Sequence, residues 1–108
     1  METPLHHRHC ESQSATKLPP GRANDLLKLI PGWEISAGEL RKTFKFKNYY
    51  ETLAFLNATA FISHREDHHP DIEVGYNKLT MRYVTHSVGG LTENDFICAA
   101  RVEALLTP

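Results

Sequence analysis

The sequence has little cysteine, no long apolar run and almost no net charge. Its two cysteines, Cys10 and Cys98, form neither a CxxC pair nor a disulfide framework, which predicts a reducing, cytoplasmic location. Apolar stretches are as short as residues 58–62, so no segment is expected to span a membrane. No apolar stretch follows the basic N-terminus, so no secretory signal is expected. A formal net charge of -1 provides no field that attracts nucleic acid, so no direct nucleic-acid contact is expected.

The composition that remains is that of one globular domain, with 41% hydrophobic and 23% charged residues in a chain of 108. Residues 1–21 are polar and lack an apolar period, which predicts a flexible N-terminal tail before a domain over residues 22–108. The tail holds three histidines and a cysteine within residues 6–10, and these could bind a metal ion. A disordered polar tail is the favoured interpretation, because nothing beside the cluster would preorganise ligands.

Apolar periodicity predicts three helices and four strands in the order αββαββα. Asn24, Asn48 and Thr92 are expected N-caps, and Glu51 is expected to complete a capping box with Asn48. Two hairpins with interleaved helices indicate an α+β fold, a four-stranded antiparallel sheet with the helices packed on one face. The other face is expected to be polar or covered by another subunit. The predicted helices are residues 25–29, 49–65 and one that follows Thr92, and the predicted strands are residues 33–35, 39–46, 72–76 and 79–85.

Four histidines, His64, His68, His69 and His86, fall within 23 residues of one another. His68 and His69 stand where the second helix should end, because Pro70 cannot continue a helix and biases His69 away from the α region. His86 directly follows the last predicted strand. Histidine can both give and accept a proton near neutral pH, so the cluster indicates either an acid/base site or a metal site.

The residues alone leave three interpretations of this cluster open. His64 and His68 have the spacing of a helical zinc site, but Arg65 stands where the metalloprotease pattern needs Glu, which makes a metal the minority interpretation. In an acid/base site, one imidazole would donate a proton to a leaving group while another accepts one, each contributing ~10²–10⁴-fold in rate. A purely structural role, such as capping helix carbonyls, carries about the same weight as a functional one.

The spacing of these residues resembles that of the pterin-4a-carbinolamine dehydratase family. An aromatic residue, a further histidine and an aspartate follow the His-His-Pro motif at the family's intervals, and the tryptophan after Pro31-Gly32 also matches. The resemblance covers about residues 22–106. It departs at His64, where the family often has an acidic residue. The matching residues are His68, His69, Pro70, Tyr76, His86, Asp95 and Trp33.

The resemblance implies dehydration of 4a-hydroxytetrahydropterin to quinonoid dihydropterin, with no metal and no cofactor. It implies acid/base work by His68 and His86, and binding of the pterin substrate with assistance by His69. Asp95 would hold a histidine in its productive tautomer, and Trp33 would line the pocket.

Two further residues, Pro70 and Tyr76, would support the site. Simpler roles stay open for three residues: Asp95 could only favour a helix N-terminus, Trp33 could be a core aromatic, and Tyr76 could be a strand residue packing on its neighbours.

The family also implies partners. The reaction recycles tetrahydrobiopterin for aromatic amino acid hydroxylases, which implies a functional link to phenylalanine hydroxylase. Family members form dimers and tetramers, so a homo-oligomer is expected. Some members bind a transcription factor and stabilise its dimer, so the alternative function is a non-catalytic dimerisation or coactivator module on the same fold.

Overall fold

A computed structural model describes residues 3–11 and 15–106. Within them it contains three α-helices and a four-stranded antiparallel sheet, and the predicted αββαββα order is confirmed. The elements are α1 (Pro20–Leu27), β1 (Glu34–Ser36), β2 (Glu39–Lys45), α2 (Tyr49–Glu66), β3 (Asp71–Val74), β4 (Lys78–Tyr83) and α3 (Glu93–Ala104).

The strands lie in the order β1-β2-β4-β3, with every neighbouring pair antiparallel. In the central pair, Leu40 lies opposite Tyr83 and Phe44 lies opposite Leu79. All four side chains are buried, because residues two apart on a strand point to the same face. The face on the other side is polar, as predicted, and carries Arg41, Thr43, Lys45, Thr80 and Arg82.

The second helix begins at the predicted cap. The Asn48 side chain accepts the Glu51 N–H at 2.9 Å, but the Glu51 carboxylate accepts the Lys47 N–H, so the predicted capping box forms only in one direction. The apolar periodicity that predicted this helix includes Tyr50 and Phe61, yet these side chains remain 81% and 66% exposed. The buried stripe instead follows three- and four-residue intervals through Thr52, Phe55, Thr59, Ile62 and Glu66.

The first helix begins earlier than predicted. It spans Pro20–Leu27 with Pro19 as its N-cap, whereas the sequence indicated residues 25–29 with Asn24 as the cap. Proline suits the first helical position, since its ring fixes a helical φ and that position needs no N–H partner. Ala23 and Leu26 turn into the core from this helix.

Part of the predicted flexible tail lies against the domain. Leu5–His7 forms a 3-10 turn against α3, and the Leu5 side chain is buried in the core. One apolar residue in a polar stretch has no periodicity, so the sequence pattern could not predict this contact. The predicted tail also includes residues 1, 2 and 12–14, which lie outside the described residues.

The last helix, α3, contributes more buried apolar side chains to the core than any other helix or strand that the structure describes. Its residues 94–100 are buried without interruption, and Val102 is buried as well. Its N-terminus meets the end of α2 and the segment that follows β4, and the predicted histidines lie in these two neighbouring segments. No helix in the described part of the chain is long and apolar enough to cross a membrane.

Candidate functional site

The His-His-Pro motif leaves α2 through a left-handed residue. Asp67 ends the helix with φ 51°, a conformation that aspartate tolerates better than most residues. His68 therefore stands just outside the helix, with its N–H on the Ser63 carbonyl at 3.2 Å. The prediction that the histidine pair lies where helix gives way to loop is confirmed.

A buried carboxylate fixes the ring of His68. Nε2 of His68 lies 2.7 Å from Oδ1 of Asp95, which is fully buried near the N-terminus of α3. The other oxygen, Oδ2, accepts the Thr85 hydroxyl at 2.9 Å and the Thr92 N–H at 2.9 Å. Both carboxylate oxygens are thus engaged, so Asp95 is held in place from three directions.

The two threonines extend this network. Thr85 and Thr92 place their hydroxyl oxygens 2.8 Å apart. Because the Thr85 proton is donated to Asp95, the Thr92 hydroxyl must donate to Thr85. When successive hydroxyls donate in the same direction, each hydrogen bond polarises the next. This chain of hydrogen bonds ends on the carboxylate that faces His68.

The His68 ring is held by stacking as well as by its hydrogen bond. Its centroid lies 5.9 Å from that of Tyr83, with the two rings 9° from parallel. With Nε2 directed at Asp95, Nδ1 is the ring atom that remains for a substrate. The His68 side chain is 14% exposed, so a small molecule can reach it although most of the ring is shielded from solvent.

Asp95 also binds the segment that carries His86. His86 begins a 3-10 turn, His86–Val88, directly after Thr85. Thr85 is held by hydrogen bonds with Gly90 in both directions, at 3.0 and 3.4 Å. His86 and His69 are both exposed, and each directly follows a residue bound to Asp95. The three predicted histidines therefore come from two segments that one carboxylate joins.

Trp33 lies in the core. Its ring packs on Phe44 and Tyr83, with centroids 5.8 and 6.1 Å away, and its Nε1 donates to the Glu103 carboxylate at 2.9 Å. It reaches the site indirectly, through the Tyr83 ring that stacks on His68. These contacts match the simpler role of a core aromatic.

Tyr76 and His68 lie at opposite ends of α2. Tyr76 falls in the turn after β3 instead of within the predicted strand, and its ring stacks on Tyr49, the first residue of α2, at 6.3 Å. An α-helix of this length separates its two ends by roughly 25 Å. His64 lies exposed on the last turn of α2, and Pro70 directly precedes β3.

A second buried carboxylate, which sequence reasoning missed, lies two residues before His68. Glu66 accepts the Cys10 N–H at 2.7 Å and contacts Nδ1 of His9 at 2.9 Å. Burial alone would raise the pKa of Glu66, but the Cys10 N–H, the His9 ring and the Arg101 guanidinium together hold that pKa below its ordinary value. A charged residue at the end of a helix is normally solvated, so the sequence did not predict that Glu66 would be buried.

The donor set at the site suits proton transfer. Imidazoles oriented by a carboxylate and by hydroxyls are the groups that general acid/base catalysis uses. Within residues 3–11 and 15–106, no group of three or more His, Cys, Asp or Glu side chains is arranged to hold a metal ion. Thr85 and Tyr83 were missed from the sequence, since their roles depend on which residues the fold places opposite them.

Comparisons with known proteins point to one family. The family model described as pterin 4 alpha carbinolamine dehydratase matches residues 16–105. A protein of Nitrosospira multiformis is 60% identical over 80 residues, covering 74% of this chain and 71% of that protein. A protein of Stenotrophomonas maltophilia is 53% identical over 106 residues, covering 94% and 91%. Both carry the name "Putative pterin-4-alpha-carbinolamine dehydratase".

Two solved structures share the fold. The transcriptional coactivator/pterin dehydratase from Brucella melitensis is 28% identical with a TM-score of 0.80, covering 83% of this chain and 98% of that chain. A pterin dehydratase-like protein, described as a RuBisCO assembly factor in the alpha-carboxysome, is 27% identical with a TM-score of 0.55, covering 94% of each chain. Because the family model matches most of this chain, the chain belongs to the pterin-4a-carbinolamine dehydratase family, as its sequence predicted.

Proposed function

We propose that this protein dehydrates 4a-hydroxytetrahydropterin to quinonoid dihydropterin, with histidines moving the protons. The observation that carries the proposal is the 2.7 Å contact between the buried Asp95 carboxylate and Nε2 of His68, a ring that is mostly buried and still 14% exposed. Family membership and the names of the relatives support the substrate class. The fold alone would not, because one fold can host unrelated functions.

The reaction needs one proton delivered and one removed. One histidine donates a proton to the hydroxyl on C4a, and the C4a–O bond breaks as water leaves. Another histidine accepts the proton from N5, and the N–H electron pair forms the C4a=N5 double bond. Each well-placed acid or base of this kind contributes ~10²–10⁴-fold in rate.

The three histidines divide this work by their positions. Asp95 holds His68 with Nε2 occupied, so that Nδ1 serves the pterin. His86 is the partner in proton transfer, since Thr85 ties its segment to the same carboxylate. His69 is exposed beside His68 and binds and orients the pterin. Asp95 acts through His68 and is a positioning residue.

The proposal extends to the setting of the reaction. The product would be recycled as tetrahydrobiopterin for an aromatic amino acid hydroxylase such as phenylalanine hydroxylase, in the cytoplasm. A homo-oligomer of two or four chains is supported by Tyr50 and Phe61, two large apolar side chains that α2 leaves exposed.

A second candidate is a non-catalytic module that acts through protein contacts. It is favoured by the neighbours described as a coactivator and as an assembly factor, and by the same exposed side chains of α2. A scaffold has no need for a buried carboxylate that orients a reachable imidazole. That network is the reason for preferring the enzyme.

The test is the breakdown of 4a-hydroxytetrahydropterin by purified protein that has been treated with EDTA. The proposal expects acceleration well above the spontaneous rate. No acceleration by protein that is folded by circular dichroism would favour the non-catalytic module. Acceleration only after zinc or nickel is added would revive the metal interpretation of the histidine cluster.

A further inference from the structure

The N-terminal segment, residues 3–11, is attached to the domain at several points. Leu5 is buried, and Arg8 contacts the Glu93 carboxylate at 2.8 Å. The Glu11 N–H donates to the Asn94 side chain at 3.0 Å. These contacts, together with the Cys10 N–H on Glu66, hold the segment along α3 and the end of α2.

This attachment brings the two cysteines of the chain together. Sγ of Cys10 lies 3.4 Å from Sγ of Cys98, although 88 residues separate them in the sequence. Neither thiol is in a disulfide. The spacing of these cysteines predicted no pairing, since the contact depends on where the N-terminal segment lies. A disulfide bond is about 2.05 Å long, so an approach of little more than 1 Å would close it.

We propose that Cys10 and Cys98 are a site of reversible oxidation by hydrogen peroxide, forming a disulfide that ties the N-terminal segment to α3. Cys10 is half-buried and can be reached from solvent, whereas Cys98 is fully buried in α3. A partly exposed thiol beside a second thiol is the arrangement in which oxidation ends in a disulfide. This inference does not rest on the proposed function.

The chemistry proceeds in two steps that balance. The Cys10 sulfur attacks one peroxide oxygen, the O–O bond breaks, and Cys10 sulfenic acid and one water form. The Cys98 sulfur then attacks the sulfenic sulfur, and the hydroxyl leaves with the Cys98 proton as a second water. Peroxide is reduced to two waters, and the two thiols are oxidised to one disulfide. A small thiol such as glutathione reverses the reaction by exchange.

The environment assigns the order of these steps. The hydrogen bond with Cys10, together with burial, raises the pKa of the Cys98 thiol, so Cys98 keeps its proton until the sulfenic acid forms. Buried without access to solvent, Cys98 resolves the intermediate and does not meet peroxide directly.

The disulfide would link the N-terminal segment to α3, and each of these contacts a residue at or near His68. Cys98 lies one turn after Asp95 on α3, and the Cys10 N–H binds Glu66, two residues before His68. A covalent tie between residues so far apart in sequence removes much conformational freedom from the unfolded chain. Oxidation should therefore stabilise the fold and prevent the N-terminal segment from leaving it.

The test treats the reduced full-length chain with an equimolar amount of hydrogen peroxide, blocks free thiols with iodoacetamide after unfolding, and measures intact mass. The expected product has lost two hydrogen atoms, carries no blocked cysteine and returns to the dithiol with dithiothreitol. A peptide map should join Cys10 to Cys98, and the melting temperature should rise by roughly 10 °C.

Cys10→Ala is the control, because this side chain is partly exposed and its loss should leave the fold intact by circular dichroism. The control should show neither the mass loss nor the rise in melting temperature. Two blocked thiols, added oxygen on Cys10, or a disulfide between two chains would each overturn the proposal. A Cys10–Cys98 disulfide without a rise in melting temperature would overturn the claim that it ties the segment down.

Discussion

Two buried carboxylates in this protein each hold a histidine. Asp95 lies 2.7 Å from Nε2 of His68, and Glu66 lies 2.9 Å from Nδ1 of His9. Each also accepts a peptide N–H, from Thr92 at 2.9 Å and from Cys10 at 2.7 Å. The same set of groups thus occurs at the candidate functional site and at the attachment of the N-terminal segment.

The surroundings of the two pairs differ. His68 is 14% exposed and stacks on Tyr83, whereas the His9 side chain is 61% exposed. The Asp95 carboxylate accepts the neutral Thr85 hydroxyl, but the Glu66 carboxylate faces the Arg101 guanidinium at 3.6 Å. A histidine that is oriented, mostly shielded from water and still accessible to a substrate suits proton transfer. An exposed histidine beside a carboxylate whose charge is neutralised by an arginine suits attachment of the N-terminal segment. A histidine–carboxylate contact alone does not identify a site.

The largest expected effect separates the two histidines. His68→Ala should reduce dehydratase activity by ~10²–10⁴-fold, since it removes an acid or base from the reaction. His9→Ala, the matched control, should leave the rate of turnover within about a factor of two, because it loses only a partly solvated contact. Steady-state rates of the two folded variants measure the difference. Equal losses of activity in the two variants would show that the His68–Asp95 and His9–Glu66 pairs do not differ in function.

The next effect separates the two carboxylates. Asp95→Asn should lower activity by ~10²-fold or more, because an amide can donate to Nε2 and favour the wrong tautomer of His68. Glu66→Gln should retain activity and lose about 1–3 kcal/mol of stability, through weaker bonds to the N-terminal segment. Urea unfolding and turnover are measured on both. Full activity in Asp95→Asn would show that the carboxylate does not position His68.

Acid should affect the Glu66 contacts through the ionisation of its carboxyl. Its pKa is lower in the folded protein than its ordinary value of 4.5, so its contribution to stability is present above that value. That contribution is lost as the pH falls through the lower folded pKa. Melting temperatures between about pH 5 and about pH 3 should therefore fall more steeply for the wild type than for Glu66→Gln. Parallel curves would show that Glu66 is not favoured in its charged form.

The smallest expected effect concerns the ring between the core and His68. The hydroxyl of Tyr83 is buried without a hydrogen-bond partner in the described part of the chain, and burial raises the pKa of this phenol well above its ordinary value. Tyr83→Phe keeps the stacked ring and removes the unsatisfied group, so stability should stay level or rise by about 1 kcal/mol. Activity should persist. A large loss of activity with unchanged folding would give the hydroxyl a part in the reaction.

The elements that carry strong periodicity could be predicted from the sequence. The alternation in β2 and the caps Asn48 and Thr92 led to the correct order of helices and strands. The histidine motif was placed at the end of α2, where the structure has it. These features are local, since each depends on residues a few positions apart.

Features that depend on distant contacts could not be predicted in this way. Leu5 and Cys10 belong to a polar stretch, and only the folded chain shows what they touch. Thr85 becomes part of the site because α3 places Asp95 opposite it. Tyr76 satisfies the family spacing, yet its ring stacks at the end of α2 opposite to His68.

The central claim is that the histidines joined by Asp95 perform the dehydration. Its most direct test is the rate of 4a-hydroxytetrahydropterin breakdown by the double variant His68→Ala/His86→Ala, with folding verified by circular dichroism. We expect a rate that cannot be distinguished from the spontaneous reaction, while the wild type accelerates it. A folded double variant that keeps about a tenth or more of the wild-type rate would contradict the assignment, because each lost group should cost ~10²-fold or more.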